Sequence, residues 1–186
     1  MSAISITVAV AIMALAVLLW GISVYNKLIR LSNHKEEAWS GVDIQLKRRF
    51  DLVPNLVETV KGYATHERNT LEAVIVARSA VTAATTQDAR IEAENSLTHT
   101  LKSLFALSES YPELKANANF SNLQDELSSL ESDLQLARRY YNGTVRDFNI
   151  AIQSFPAVLI SSNLGYTPSS MFGIEDEERE PVKVRF

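Results

Sequence analysis

The chain has 186 residues and a mass of 20.7 kDa, with 46% hydrophobic and 22% charged residues. It is too apolar for a disordered chain, and its length suits one domain. Cysteine is absent, which excludes disulfides, thiolate zinc sites and a cysteine nucleophile. The formal net charge of -4, from 18 basic and 22 acidic residues, removes the bulk electrostatic case for nucleic-acid binding.

Charge is absent from residues 1–26, and the first charged side chain is Lys27. The apolar heart, residues 4–24, would rise about 31 Å as a helix, enough to cross a hydrocarbon core. Trp20 and Tyr25 stand at its exit end, where interfacial aromatics are favoured. A cleaved signal peptide would need a basic leading region and a small-residue cleavage site after a shorter apolar run. The Ala-x-Ala of Ala14 to Ala16 lies inside the run. The expectation is an uncleaved transmembrane anchor over 1–26. Lys27, Arg30, Lys35, Lys47, Arg48 and Arg49 follow it, whereas the leading tail has no basic side chain. Positive-inside reasoning then puts the N-terminus outside and the large domain in the cytoplasm. Lys27, Arg30 and Lys35 also suit contact with anionic lipid heads.

Residues 27–165 read as helical throughout, with apolar positions at seven-residue spacing. Trp39, Leu46, Val53, Val60, Val74 and Val81 form one ladder, with Glu67 filling a step. Val42, Leu56, Tyr63 and Ala77 form its partner, interrupted by Arg49 and Thr70. Two such ladders make an a/d stripe of coiled-coil type. Pro54 lies inside it, at a cost of about 3 kcal/mol in a helix interior. The phase is unbroken on both sides, so one proline-kinked helix from the anchor to about Val81 is the preferred reading. Two helices meeting near residues 52–55 are the alternative.

A second helix is expected from a capping box of Thr85 and Asp88 to about Tyr111, before Pro112. A third long helix opens on the capping box of Ser121 and Gln124. Leu127, Leu134, Tyr141, Phe148 and Phe155 make its first ladder, and Leu123, Leu130, Ala137 and Thr144 its second. Pro156 breaks or kinks it, and a short helix over 157–163 follows with Gly165 as its C-cap. The fold class is therefore all-α: an N-terminal transmembrane helix continuing into an elongated up-and-down bundle of three to four helices. Residues 166–186 form an acidic, mostly irregular tail. Val182, Val184 and Phe186 alternate there as an added docking strand would.

Several segments stand out together. They are Tyr25-Asn26-Lys27-Leu28-Ile29-Arg30-Leu31, Ala38-Trp39-Ser40 and Asp43-Ile44-Gln45-Leu46-Lys47-Arg48-Arg49. Asp51-Leu52-Val53-Pro54-Asn55-Leu56-Val57-Glu58-Thr59-Val60-Lys61-Gly62-Tyr63 and Tyr111-Pro112-Glu113-Leu114-Lys115-Ala116-Asn117 follow. The last helix adds Ala137-Arg138-Arg139-Tyr140-Tyr141-Asn142, Phe148-Asn149 and Phe155-Pro156. Together they resemble the LemA family, and the resemblance covers almost the whole chain. It implies a bacterial single-pass membrane protein with a small extracytoplasmic N-terminus and a helical bundle. The family has no established molecular activity, so no catalytic residue carries over. Some relatives occur in genomic association with membrane proteases, a hint of context.

The residues themselves argue against catalysis. A carboxylate-bridged metal bundle needs Glu-x-x-His pairs, but Leu31, Tyr63 and Ser96 stand three before His34, His66 and His99. No phosphate-binding glycine pattern occurs, Gly41 and Gly62 being isolated. No catalytic, cofactor-binding or metal residue is assigned, and the chain is expected to be no enzyme.

Interaction candidates are Trp39, Arg49, Tyr141, Asn142, Phe148, Asn149 and Phe186. Arg49 and Glu67 interrupt the apolar ladders. Arg49 would either snorkel to solvent or pair with an acid such as Glu131 or Asp133 and fix the register. Asn142 and Asn149, each after an aromatic and seven apart, mark either amides bonded at the bundle edge or a contact stripe. A small-residue stripe in the anchor, Ser2, Ala9, Ala16 and Ser23, would allow close helix packing. The expected partners are the lipid bilayer, further copies of the chain, and a membrane protein, with no nucleic acid. The expected function is a non-enzymatic membrane scaffold or adaptor that self-assembles. The alternative is a regulatory subunit of a membrane enzyme such as an envelope protease. A cryptic enzyme is the third reading, for which metal analysis of the purified protein is the discriminating observation.

Overall fold

The computed structural model describes residues 3–64 and 66–173. Six helices and no strand form among them: α1 (Ala3–Lys61), α2 (Arg68–Ala83), α3 (Gln87–Ser108), α4 (Pro112–Lys115), α5 (Ala118–Gln153) and α6 (Val158–Ser161). The chain divides into two compact units, Met1–Ser40 with Arg139–Phe186, and Gly41–Arg138.

The expected helix to Val81 does not form: α1 runs through Pro54 and stops at Lys61. Proline is tolerated where it stands because its missing N–H would have bonded the carbonyl of Phe50, four residues back. That carbonyl accepts instead from Arg78 Nε at 3.3 Å. The same guanidinium lies 3.8 Å from the Phe50 ring centroid, a cation–π contact. The break falls at residues 62–67. Glycine is a poor helix former, and the amide of Gly62 makes only a long 3.4 Å bond to Glu58. Tyr63 and Ala64 both turn back to the Val60 carbonyl. The heptad phase survives the turn because both sides contribute to one core.

That core belongs to the unit of residues 41–138. Val53, Leu56 and Val60 of α1 meet Val74 and Val81 of α2, with Leu97 and Leu104 of α3, Leu114 of α4 and Phe120 of α5. Nearly all are fully buried. α2 and α3 pack on each other across a short link. The cap of α3 is Thr86, one residue after the expected Thr85, and its hydroxyl accepts from the Ala89 amide at 3.2 Å. Likewise α5 starts before Ser121. Asn117 Oδ1 accepts from the Phe120 amide at 3.0 Å, so Asn117 is the cap. Its Nδ2 donates to Tyr63 Oη at 2.8 Å, so one side-chain amide both caps α5 and holds the segment after α1.

In the other unit, the chain-reversing end of α5 packs on the first half of α1. Leu28, Phe148 and Ile152 are buried together, flanked by Val24, Leu31, Ala151, Ile160 and Tyr166. α6 is shorter than the expected 157–163. Its exit is a Schellman turn: the amide of Tyr166 bonds the Ser161 carbonyl and that of Gly165 bonds Ser162. Gly165 takes φ +73°, as that turn requires. Residues 166–173 then run without helix or strand.

Candidate functional site

Within the unit of residues 41–138, Arg49 is 2% exposed and Glu94 0%. Arg49 does not reach solvent, because it lies on the same face of α1 as Leu46, Val53 and Leu56, which is turned to the core. Its Nη2 donates to the Glu94 carboxylate and, at 3.2 Å, to the Glu94 carbonyl. Its Nη1 donates to Thr98 Oγ1 at 2.7 Å and to Glu131 Oε2 at 3.3 Å. Glu94 also accepts from Arg90 Nε at 3.1 Å, and Arg90 reaches Asp43 at 3.5 Å. Arg49 thus does not snorkel; it ties α1 to α3 and α5. Of the two acids named from sequence, Glu131 is the partner present in this network. A slide of α1 or α3 by one residue would bury an unpaired charge.

Glu94, Thr98 and Arg90 were not singled out by sequence. A signal existed: Ile91, Glu94, Leu97, Leu101 and Leu104 follow one helical stripe, and an acid on such a stripe requires a buried cation. Glu67, the other polar interruption, accepts from Tyr111 Oη at 2.9 Å. That bond, with burial and the Glu67 charge, holds the Tyr111 phenol above its ordinary 10.0.

In the unit of residues 1–40 and 139–186, the heptad-spaced amides have a defined task. Asn142 Nδ2 donates to the Phe172 carbonyl at 3.0 Å while its Oδ1 accepts from the Phe172 amide at 2.9 Å. Asn149 does the same with Ser169, at 2.9 Å in both directions. Seven helical residues rise about 10.5 Å, and three extended residues span about the same length. The helix therefore offers paired amides at the repeat of an extended chain laid antiparallel to it. Tyr141 Oη adds a bond to the Ser170 carbonyl at 3.0 Å. Lys35 Nζ donates to Ser169 Oγ at 2.9 Å and lies 4.7 Å from the Phe148 ring centroid.

Aromatic packing completes this strap. Phe172 stacks on Trp39 at 5.7 Å between centroids, and Tyr141 meets both edge-on at 5.3 and 6.0 Å. Tyr141 and Phe148 are 0% and 1% exposed, so both face the interior and offer no outer contact stripe. Trp39 is half-buried. The strap itself, Ser169 to Phe172, was missed because the whole of residues 166–186 was read as tail. Phe186 and the alternating Val182 and Val184 lie outside the described residues, as does Ser2.

Trp20, Tyr25, Lys27 and Arg30 are all exposed on α1. Upstream of them, Ile4, Val10, Met13, Leu15 and Leu18 are each more than half exposed. This helix is long and apolar enough to cross a membrane, and none of its apolar window is buried. Among the described residues no three of His, Asp and Glu converge as a metal site.

An all-helical protein with one candidate membrane-spanning helix and a buried charge network is the class these features define. The profile of the LemA family matches residues 38–186. The chain belongs to the LemA family. It is also 25% identical over 158 residues to Protein LemA of Metamycoplasma hominis, covering 84% of this chain and 72% of that relative.

Proposed function

We propose that this protein is a non-enzymatic scaffold or adaptor, anchored by residues 1–26 in the bacterial inner membrane and assembled there as an oligomer. The observation that supports the reading best is the uncovered apolar stretch of α1, which continues in the same helix into the packed core. An apolar window of that length with no protein over it is solvated far better by lipid than by water. The basic residues that follow it favour a cytoplasmic bundle. Ile75 and Val76 of α2, 52% and 61% exposed, offer apolar surface for a second copy.

The test is the mass of the detergent-purified full-length protein by light scattering corrected for detergent, repeated without residues 1–26. A defined assembly that weakens without the anchor supports the scaffold. A monomer in both forms refutes self-assembly and favours an accessory subunit of a membrane enzyme such as an envelope protease. Deletion of residues 181–186 would then be expected to abolish partner binding.

A further inference from the structure

The sequence holds two long charge-free runs, residues 1–26 and residues 148–174. The first is the apolar span. The second begins on α5 as that helix runs back along α1. Trp39 stands against Tyr141, and Leu28 against Phe148 and Ile152. Val24 and Pro156 line one cleft. The link between α5 and α6 therefore hangs level with the end of the span. One further helical turn along α1 from Val24 is Trp20, about 6 Å away.

At this level the protein turns apolar side chains outward. Phe155 is 81% exposed and Leu159 60%, and Val158 is 36% exposed. Phe155 was expected to continue the core ladder of α5. Instead α5 ends at Gln153, and Pro156 turns the chain, which leaves the ring outside. The cleft beside it has a volume of about 490 Å³ and mixes Val24, Leu28, Phe155 and Pro156 with Lys27 and Asp147. Asp147 is engaged by its neighbour Arg146 at 3.2 Å. Lys27 is exposed and, with Arg30, presents cations at the height where lipid phosphates would lie.

We propose that the link between α5 and α6 is a second membrane contact, in which Phe155, Val158 and Leu159 enter the headgroup layer of the leaflet from which α1 emerges. The occupant is lipid, because the exposed ring and leucine continue the apolar surface of the span and the neighbouring cations match anionic headgroups. An uncharged stretch of 27 residues suits that layer, where each charge brought below the phosphates is costly. The contact would hold α5 against α1 at the bilayer surface. It rests on the reading of residues 1–26 as a membrane anchor.

The experiment uses the full chain in nanodiscs of phosphatidylglycerol and phosphatidylcholine, with and without lipid brominated on the acyl chains. One variant, Trp20→Phe/Trp39→Phe/Phe155→Trp, carries its only indole at position 155. The reference, Trp39→Phe, keeps Trp20. The expected result is bromolipid quenching at position 155 within about two-fold of that at Trp20, since both belong to the interfacial belt. Quenching of Trp20 with none at position 155 overturns the second contact and leaves the anchor standing. Quenching at neither overturns both. A blue-shifted, unquenched indole at position 155 whose emission depends on protein per disc would mean that the ring packs on another copy, which also overturns the lipid contact.

Discussion

Replacing Arg49 by Met keeps an unbranched apolar stem and removes the guanidinium with its charge. The Glu94 carboxylate, 0% exposed, would lose its closest cation and keep only Arg90, itself 26% exposed. Glu131, 33% exposed, can rehydrate. Removing one partner of a buried pair costs about 3–5 kcal/mol, and the surviving Arg90 contact places this case near 3. For a chain of this size that is a fall in Tm of about 6–12 °C. The assay is thermal unfolding of the detergent-solubilised full chain, followed by circular dichroism. A second variant separates charge from volume. Arg49→Met/Glu94→Leu removes both buried charges, and its stability should return to within about 1 kcal/mol of the parent or exceed it. A loss under about 1 kcal/mol in Arg49→Met would refute the buried-pair account. So would a double variant as unstable as the sum of its singles, since the fault would then lie in packing.

Three further outcomes follow from individual contacts. Thr86→Ala should cost about 0.5–2 kcal/mol through the lost cap of α3, whereas Thr85→Ala should leave the denaturation midpoint unchanged. Asn142→Leu removes both bonds to Phe172 and should cost about 1–3 kcal/mol. Its specific mark is faster amide hydrogen exchange at Phe172, which that side chain otherwise protects. Tyr111 has a folded pKa above its unfolded value, so its neutral form is the one that stabilises. That contribution is complete below about pH 10 and is lost as pH rises through the raised folded value. Melting curves of Tyr111→Phe and the parent should therefore differ most below about pH 10 and converge above it; a gap that widens with alkali would contradict the sign.

Much of the core was readable. Leu46, Val53, Val60, Val74 and Val81 are buried as their seven-residue spacing implies, as are Leu127, Leu134, Tyr141 and Phe148 of α5. Helix ends were less readable, since both long-helix caps sit away from the expected boxes. A capping box depends on residues three apart, but Asn117 was selected by a bond to Tyr63, 54 residues distant. The end of α1 was misplaced for a related reason: an unbroken heptad phase says which side chains share a core, not whether one helix or two deliver them.

The candidate sites divide along the same line. Arg49 was conspicuous because a cation on an apolar ladder demands an explanation, and Glu131 could be named as an acid able to meet it. Glu94 as the fully buried partner, and Arg90 beside it, became visible only when α3 lay against α1. Asn142 and Asn149 were conspicuous by spacing, but their targets are backbone groups, which every sequence position possesses. Local periodicity and charge placement, properties of neighbouring residues, determined the helices, the apolar span and the core faces. Tertiary structure alone decided the ion partners, the strap over α5 and the outward turn of Phe155, because each depends on which distant segments share a surface.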